Sequence, residues 1–231
     1  DMGSLMHEVI EHISKYLIAK NIAWHEINLN EKYTALCDKE IDNVIEDIFK
    51  EKMSKYLVTA RYVVLKNKLK SSMKKTIHLI ADSFNHSEFR PLGYEIAFED
   101  GALFAPIKIE LDNGKAIFLR GKIDRVDSLK LNGNTYLRIV DYKSSDRDLK
   151  LSDVKDGINL QLMTYMWAMI ENKEKIAKED KVIPAAVSYF TISGKLLNIP
   201  TFEKDEKKIA TLLKKALKLK GIYIKEYQHS F

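Results

Sequence analysis

The chain has 231 residues, 45% hydrophobic and 31% charged, the balance of an ordinary globular domain with room for one sizeable core. Its net charge of +5 is too modest to define a class of partner by itself. No apolar run approaches the roughly 18–20 residues that cross a bilayer. Cys37 is the single cysteine, which excludes an internal disulfide framework, a zinc cluster and a four-cysteine iron–sulfur site.

Asp1-Met2-Gly3 run directly into an amphipathic pattern and not into a secretory leader, so a reducing, cytoplasmic setting without membrane contact is expected. Met6, Val9, Ile10, Ile13 and Leu17 recur at helical spacing and predict a helix from about Gly3 to Lys20. A polar connection from Asn21 to Tyr33 follows. Ile41, Val44, Ile45, Ile48 and Phe49 mark a second helix, and Tyr56 to Phe84 reads as one long helix or two in sequence. This stretch is basic: Lys50, Lys52, Lys55, Arg61, Lys66, Lys68, Lys70, Lys74 and Lys75 stand against one acid, Glu51. It is either a solvated helix face or a surface that follows a phosphate backbone.

The period then changes from helix to strand. Gly93 to Glu99 and Leu103 to Leu111 read as strands around the turn Asp100-Gly101. Asp112-Asn113-Gly114-Lys115 is a second turn, leading into a strand through Gly121, and Asn132-Gly133-Asn134 a third, leading into one ending at Lys143. The expected order is a meander of about four mostly antiparallel strands. Asn159 to Glu171 reads as a helix, Ala185 to Ile192 as a late strand, and Glu203 to Lys220 as a final basic helix. With no repeat and no low-complexity linker, the chain is expected to be one α/β domain. Residues 1–90 would be its helical part, and residues 91–231 a mixed sheet flanked by helices.

The chemistry sits at the ends of two predicted strands. In Val140-Asp141-Tyr142-Lys143, side chains at i and i+2 share a face, so the Asp141 carboxylate and the Lys143 ammonium emerge together. In Gly121-Lys122-Ile123-Asp124-Arg125-Val126-Asp127, alternation buries Ile123 and turns Asp124 to the other face. Adjacent strands lie roughly 4.8 Å apart, so Asp124 and Asp141 can share one hard cation, with the carbonyl of Tyr142 as a further oxygen donor. Lys143 would then position the attacking water and offset phosphate charge. His7, one turn after Gly3, is a candidate nitrogen ligand. Gln161 and Tyr165, four apart on one helix face, either cap the core or contact the scissile phosphate.

Four motifs stand in order: Gly3-x-x-x-His7, Gly121-x-x-Asp124, Asp141-x-Lys143 and Gln161-x-x-x-Tyr165. In this the sequence resembles the RecB-family nuclease domain of the PD-(D/E)XK superfamily. The Gly121-to-Asp127 segment resembles the AddB type, found in bacterial helicase–nucleases. The resemblance implies a restriction-endonuclease-like core and hydrolysis of DNA phosphodiesters, with single-stranded DNA as substrate. It implies Mg2+ or Mn2+ held by His7, Asp124 and Asp141, Lys143 as the catalytic lysine, and Gln161 and Tyr165 supporting the site. Glu95 would be an additional acidic ligand, while Arg125 and Asp127 would be structural or DNA-facing. The AddB type also carries four cluster-binding cysteines, and no iron–sulfur cluster is expected in this chain. No Gly-x-x-x-x-Gly-Lys-Ser/Thr loop is present. The expectation is therefore a fragment of a larger protein working beside a helicase subunit in break repair and recombination. A stand-alone phage or CRISPR-adaptation nuclease and a non-cleaving DNA-binding scaffold are the alternatives.

Overall fold

A computed structural model describes residues 2–53, 60–144, 148–178, 181–192 and 220–223. The chain divides into two compact units. The first holds the three N-terminal helices together with Lys143, Ser144, Thr191 and Ile192. The second holds two sheets and three further helices.

The first unit holds α1 (Met2–Lys20), α2 (Glu31–Met53) and α3 (Ala60–Asn85), with a short 3-10 turn, Trp24–Glu26, between α1 and α2. The predicted stripe of α1 is fully committed to the core: Met6, Val9, Ile10, Ile13 and Leu17 are all buried. Ile41, Val44, Ile45, Ile48 and Phe49 of α2 are buried as well. This helix starts ten residues before its first apolar marker because Asn30 caps it, accepting the N–H groups of Lys32 (3.0 Å) and Tyr33 (3.4 Å) on its side-chain oxygen. The polar composition of Asn21 to Tyr33 hid that cap. Residues 56–59 of the predicted long helix lie outside the described residues, as does the predicted final helix up to Lys220, which itself opens a strand.

The basic stretch is largely neutralised within this unit. Lys66 and Lys70 both pair with Glu46, Lys74 with Asp42, His78 with Asp38, Lys52 with Glu8 and Lys50 with Asp47. Asp38, Asp42 and Glu46 are spaced by four along α2, and their partners run the opposite way along α3, so the two helices are laced together. Two lysine hydrogen bonds hold the Glu46 carboxyl down at about 2. Its folded value lies below its unfolded one, so its contribution is present above the ordinary carboxylate range and fades as pH falls towards 2. Glu46→Gln is expected to cost about 1 kcal/mol or less at neutral pH, because the group is partly solvated. That difference should vanish in urea titrations repeated near pH 2.

The second unit is built on a five-stranded mixed sheet in the order β1-β4-β5-β6-β7: β1 (Arg90–Phe98), β4 (Gly121–Leu131), β5 (Asn134–Lys143), β6 (Lys181–Thr191) and β7 (Lys220–Tyr223). Strands β2 (Ile107–Glu110) and β3 (Ala116–Leu119) form a separate hairpin. The simple meander is therefore corrected. β1 skips the hairpin and pairs antiparallel with β4, and Leu103 to Leu111 shrinks to Ile107–Glu110 with an isolated bridge at Phe104. The Asn132-Gly133 turn is as expected, with both residues at positive φ (51° and 70°), which pins the β4–β5 register. Helices α4 (Leu151–Lys155), α5 (Gln161–Glu171) and α6 (Lys173–Ile176) lie between β5 and β6 in the chain. The core packs Leu162, Met166 and Met169 of α5 against Ile123, Val126, Leu137, Ile139 and Val187 of the sheet.

Candidate metal centre and flanking helix

Register decides which side chains meet. Tyr94 pairs with Arg125 and Ile96 with Ile123, which puts Glu95 across from Asp124. On the other side Arg125 pairs with Val140, so one residue further Asp124 faces Asp141. Backbone register thus aligns three acidic residues on three adjacent strands. Oxygen atoms of Glu95 and Asp124 come within 4.8 Å of each other. Asp141 is buried at 2% exposure, on the central of the five strands.

Two local irregularities shape this row. Glu95 has φ +49°, a left-handed conformation that costs a non-glycine residue energy and redirects its side chain. The main-chain ladder between β4 and β5 ends at the Arg125–Val140 pair, and beyond it the Tyr142 N–H donates to the Asp124 carboxylate at 2.7 Å. Asp124 is thereby fixed by the backbone of the strand that carries Asp141 and Lys143. Lys143 is half-buried at the end of that strand, and its carbonyl accepts the Ile192 N–H at 2.7 Å.

On α5, Gln161 donates to the Tyr165 hydroxyl at 2.8 Å. Burial raises the Tyr165 phenol pKa, the Gln161 hydrogen bond opposes that, and the Asp141, Asp124 and Glu95 carboxylates raise it further. All three acids are close enough to be felt by one phenol. Tyr165 packs edge-on against Phe98, with centroids 5.9 Å apart, over Gly121. A Cβ at Gly121 would lie 2.7 Å from Phe98 Cζ and 3.5 Å from Tyr165 Cε1. The glycine of the strand motif is needed for ring packing. Gly121→Ala is expected to cost about 1–3 kcal/mol by overpacking. A thermal melt would read that loss.

His7 lies half-buried on α1, in the first unit, and Glu95, Asp124, Asp141, Gln161 and Tyr165 all lie in the second. Arg125 and Asp127 do not face solvent: they are 1% and 0% exposed, so the DNA-facing alternative for them is corrected. The Arg125 guanidinium donates to the Tyr142 hydroxyl at 2.9 Å. Burial pushes the Tyr142 phenol up to about 12 against the opposing pull of the Arg125 guanidinium, which leaves it a neutral hydrogen-bonding partner. The sequence pattern gave Glu95 a secondary place and did not mark Lys122, whose ammonium pairs with Glu95. The signal for both was the two-residue alternation of facing strands, legible only once β1 is known to neighbour β4.

The donor set fits a hard divalent cation. Carboxylates directly across from one another on neighbouring strands repel, and a row of three of them, one nearly buried, is unfavourable without compensating positive charge. Oxygen donors of this kind suit Mg2+ or Mn2+.

Comparison with known proteins defines the class. The model of the PD-(D/E)XK nuclease superfamily matches residues 1–228, and the chain belongs to that superfamily. It is 36% identical over 227 residues to an ATP-dependent helicase/deoxyribonuclease subunit of the AddB type from Clostridium acetobutylicum, covering 98% of this chain and 19% of that protein. The proteins of the same name from Acetivibrio thermocellus and Caldanaerobacter subterraneus subsp. tengcongensis are each 37% identical, over 226 and 229 residues, covering 97% of this chain and 19% of their own length. The AddB-type resemblance is borne out. The chain spans about a fifth of the length of these relatives.

Proposed function

We propose that this chain is a metal-dependent deoxyribonuclease domain. It hydrolyses phosphodiester bonds of single-stranded DNA, in the cytoplasm, as part of a helicase–nuclease that processes broken DNA for recombination. The observation that carries the reading is the row Glu95–Asp124–Asp141, with Lys143 two residues beyond Asp141 on the same strand. A scaffold that only binds DNA has no use for three carboxylates held against their mutual repulsion.

In this reading Glu95, Asp124 and Asp141 hold one or more Mg2+ or Mn2+ ions, joined by the carbonyl of Tyr142. Bound there, the ion supplies Lewis-acid polarisation of the phosphate and a more acidic water. Lys143 extends its ammonium beside Asp141, where it orients the attacking water and offsets charge gathering on the phosphoryl oxygens. The Gln161–Tyr165 pair offers hydrogen-bond donors along the same edge. The Tyr142 N–H keeps the Asp124 carboxylate oriented, so little reorganisation is needed when substrate arrives. The deoxyribonuclease activity in the relatives' names supports the substrate class, and the helicase in those same names supports a motor partner.

Lys143→Ala tests the assignment in the 231-residue chain with end-labelled single-stranded DNA and Mn2+. Cleavage is expected to fall about 100- to 1,000-fold, with Mn2+ affinity close to that of the unaltered chain. Cleavage at an undiminished rate would remove Lys143 from the mechanism.

A further inference from the structure

We infer that Lys122 is a resident counter-cation of the carboxylate row, displaced from Glu95 when a divalent ion binds, and that it sets how tightly the ion is held. This rests on the metal reading proposed above. Lys122 lies on β4 two residues before Asp124, hence on the same face, and pairs in register with Ala97. Glu95 is two residues before Ala97 on β1, so the two side chains meet diagonally. Their ion pair joins a Glu95 side chain only 13% exposed to a lysine that is 57% exposed. The carboxylate is fixed in place, by burial and by its left-handed backbone, and the lysine is the partner able to leave.

An ammonium and a divalent ion compete for the same oxygen. A divalent ion held by Glu95 and Asp124 would need the carboxylate that the ammonium now contacts. A lysine still bonded to Glu95 would then bring a second positive charge into close contact in a partly desolvated site. Electrostatic repulsion drives the lysine out, and its long solvated arm makes that exit easy. Without the ion, the same ammonium relieves the repulsion within the row. Once displaced, the ammonium stays on the face that carries Asp124, where a DNA phosphate would be its next partner. Ion binding and strand binding are thereby coupled through one side chain.

The experiment is a Mn2+ titration of the 231-residue chain, followed by the electron paramagnetic resonance signal of free Mn2+ at low ionic strength. Lys122→Met is expected to tighten Mn2+ binding about tenfold, and Lys122→Arg to retain the original affinity. Glu95→Gln is expected to weaken binding, and adding Lys122→Met to it should change nothing further, because the contested negative charge is gone. Lys122→Gln repeats the measurement should the methionine variant fold poorly by circular dichroism. Unchanged or weaker Mn2+ binding by the Lys122 variants, with Glu95→Gln still weakening it, would overturn the counter-cation and leave the metal site standing. Mn2+ affinity insensitive to both Glu95→Gln and Asp124→Asn would overturn both.

Discussion

Asp141→Asn is expected to abolish metal-dependent cleavage while leaving the ion-free protein as stable as before or more so. The substitution keeps the shape of a side chain that is 2% exposed and removes one of three negative charges in a row. Without an ion, those charges oppose folding, so their reduction does not lower the melting temperature. With Mn2+ present, the missing anionic donor costs affinity on the order of 10- to 100-fold. Removing charge stabilisation at the reacting phosphate costs about 100- to 1,000-fold in rate for each lost contact, and Asp141 serves both purposes. Single-turnover cleavage at saturating Mn2+ separates the two effects. A loss of activity that merely tracks a loss of folded protein would make Asp141 a structural acid.

That opposition of stability and activity explains which features were legible in the sequence. Asp-x-Lys at a strand end and Gly-x-x-Asp on an earlier strand were visible because period-two alternation fixes which side chains share a face. Their meeting across β4 and β5 followed from the Asn132-Gly133 turn, a local signal with a defined register. The pairing of β1 with β4 was not legible, since 22 residues of chain between Phe98 and Gly121 fold into their own hairpin and no local preference reports a long-range pairing. Glu95 was undervalued for the same reason. The basic stretch stayed open between two readings because charge alone does not separate them. Lysines counted along a sequence look like a surface for phosphates, but Asp38, Asp42 and Glu46 meet His78, Lys74, Lys70 and Lys66 across two packed helices. Of the two roles open to Arg125 and Asp127, the DNA-facing one rested on charge predicting exposure, an expectation that buried, mutually paired charges defeat.

That buried pairing gives the second large effect. Asp127, 0% exposed, lies between two guanidinium groups that are 1% and 2% exposed. Arg138 Nη2 and Nε each stand 2.9 Å from one of its oxygens, and Arg125 Nε stands 3.1 Å from the other. Arg138 also reaches Ser87 Oγ at 3.2 Å and lies over the Phe89 ring, 4.7 Å from its centroid. Burial lowers the Arg138 pKa, and Asp127 opposes that. Asp127→Ala strands two cations in the core without the anion they share, and is expected to cost about 3–5 kcal/mol. In a domain of this size that is a fall of roughly 6–20 °C in melting temperature. The loss reaches the carboxylate row, because Tyr142 holds Arg125 with its hydroxyl and Asp124 with its backbone N–H. Replacing all three charges together by apolar residues of similar volume (Arg125→Met, Asp127→Leu, Arg138→Met) should recover most of the stability, since no ion is left unpaired. A denaturant midpoint for Asp127→Ala within about 1 kcal/mol of the original would mean that water already reaches these guanidinium groups and that the network adds little to the fold.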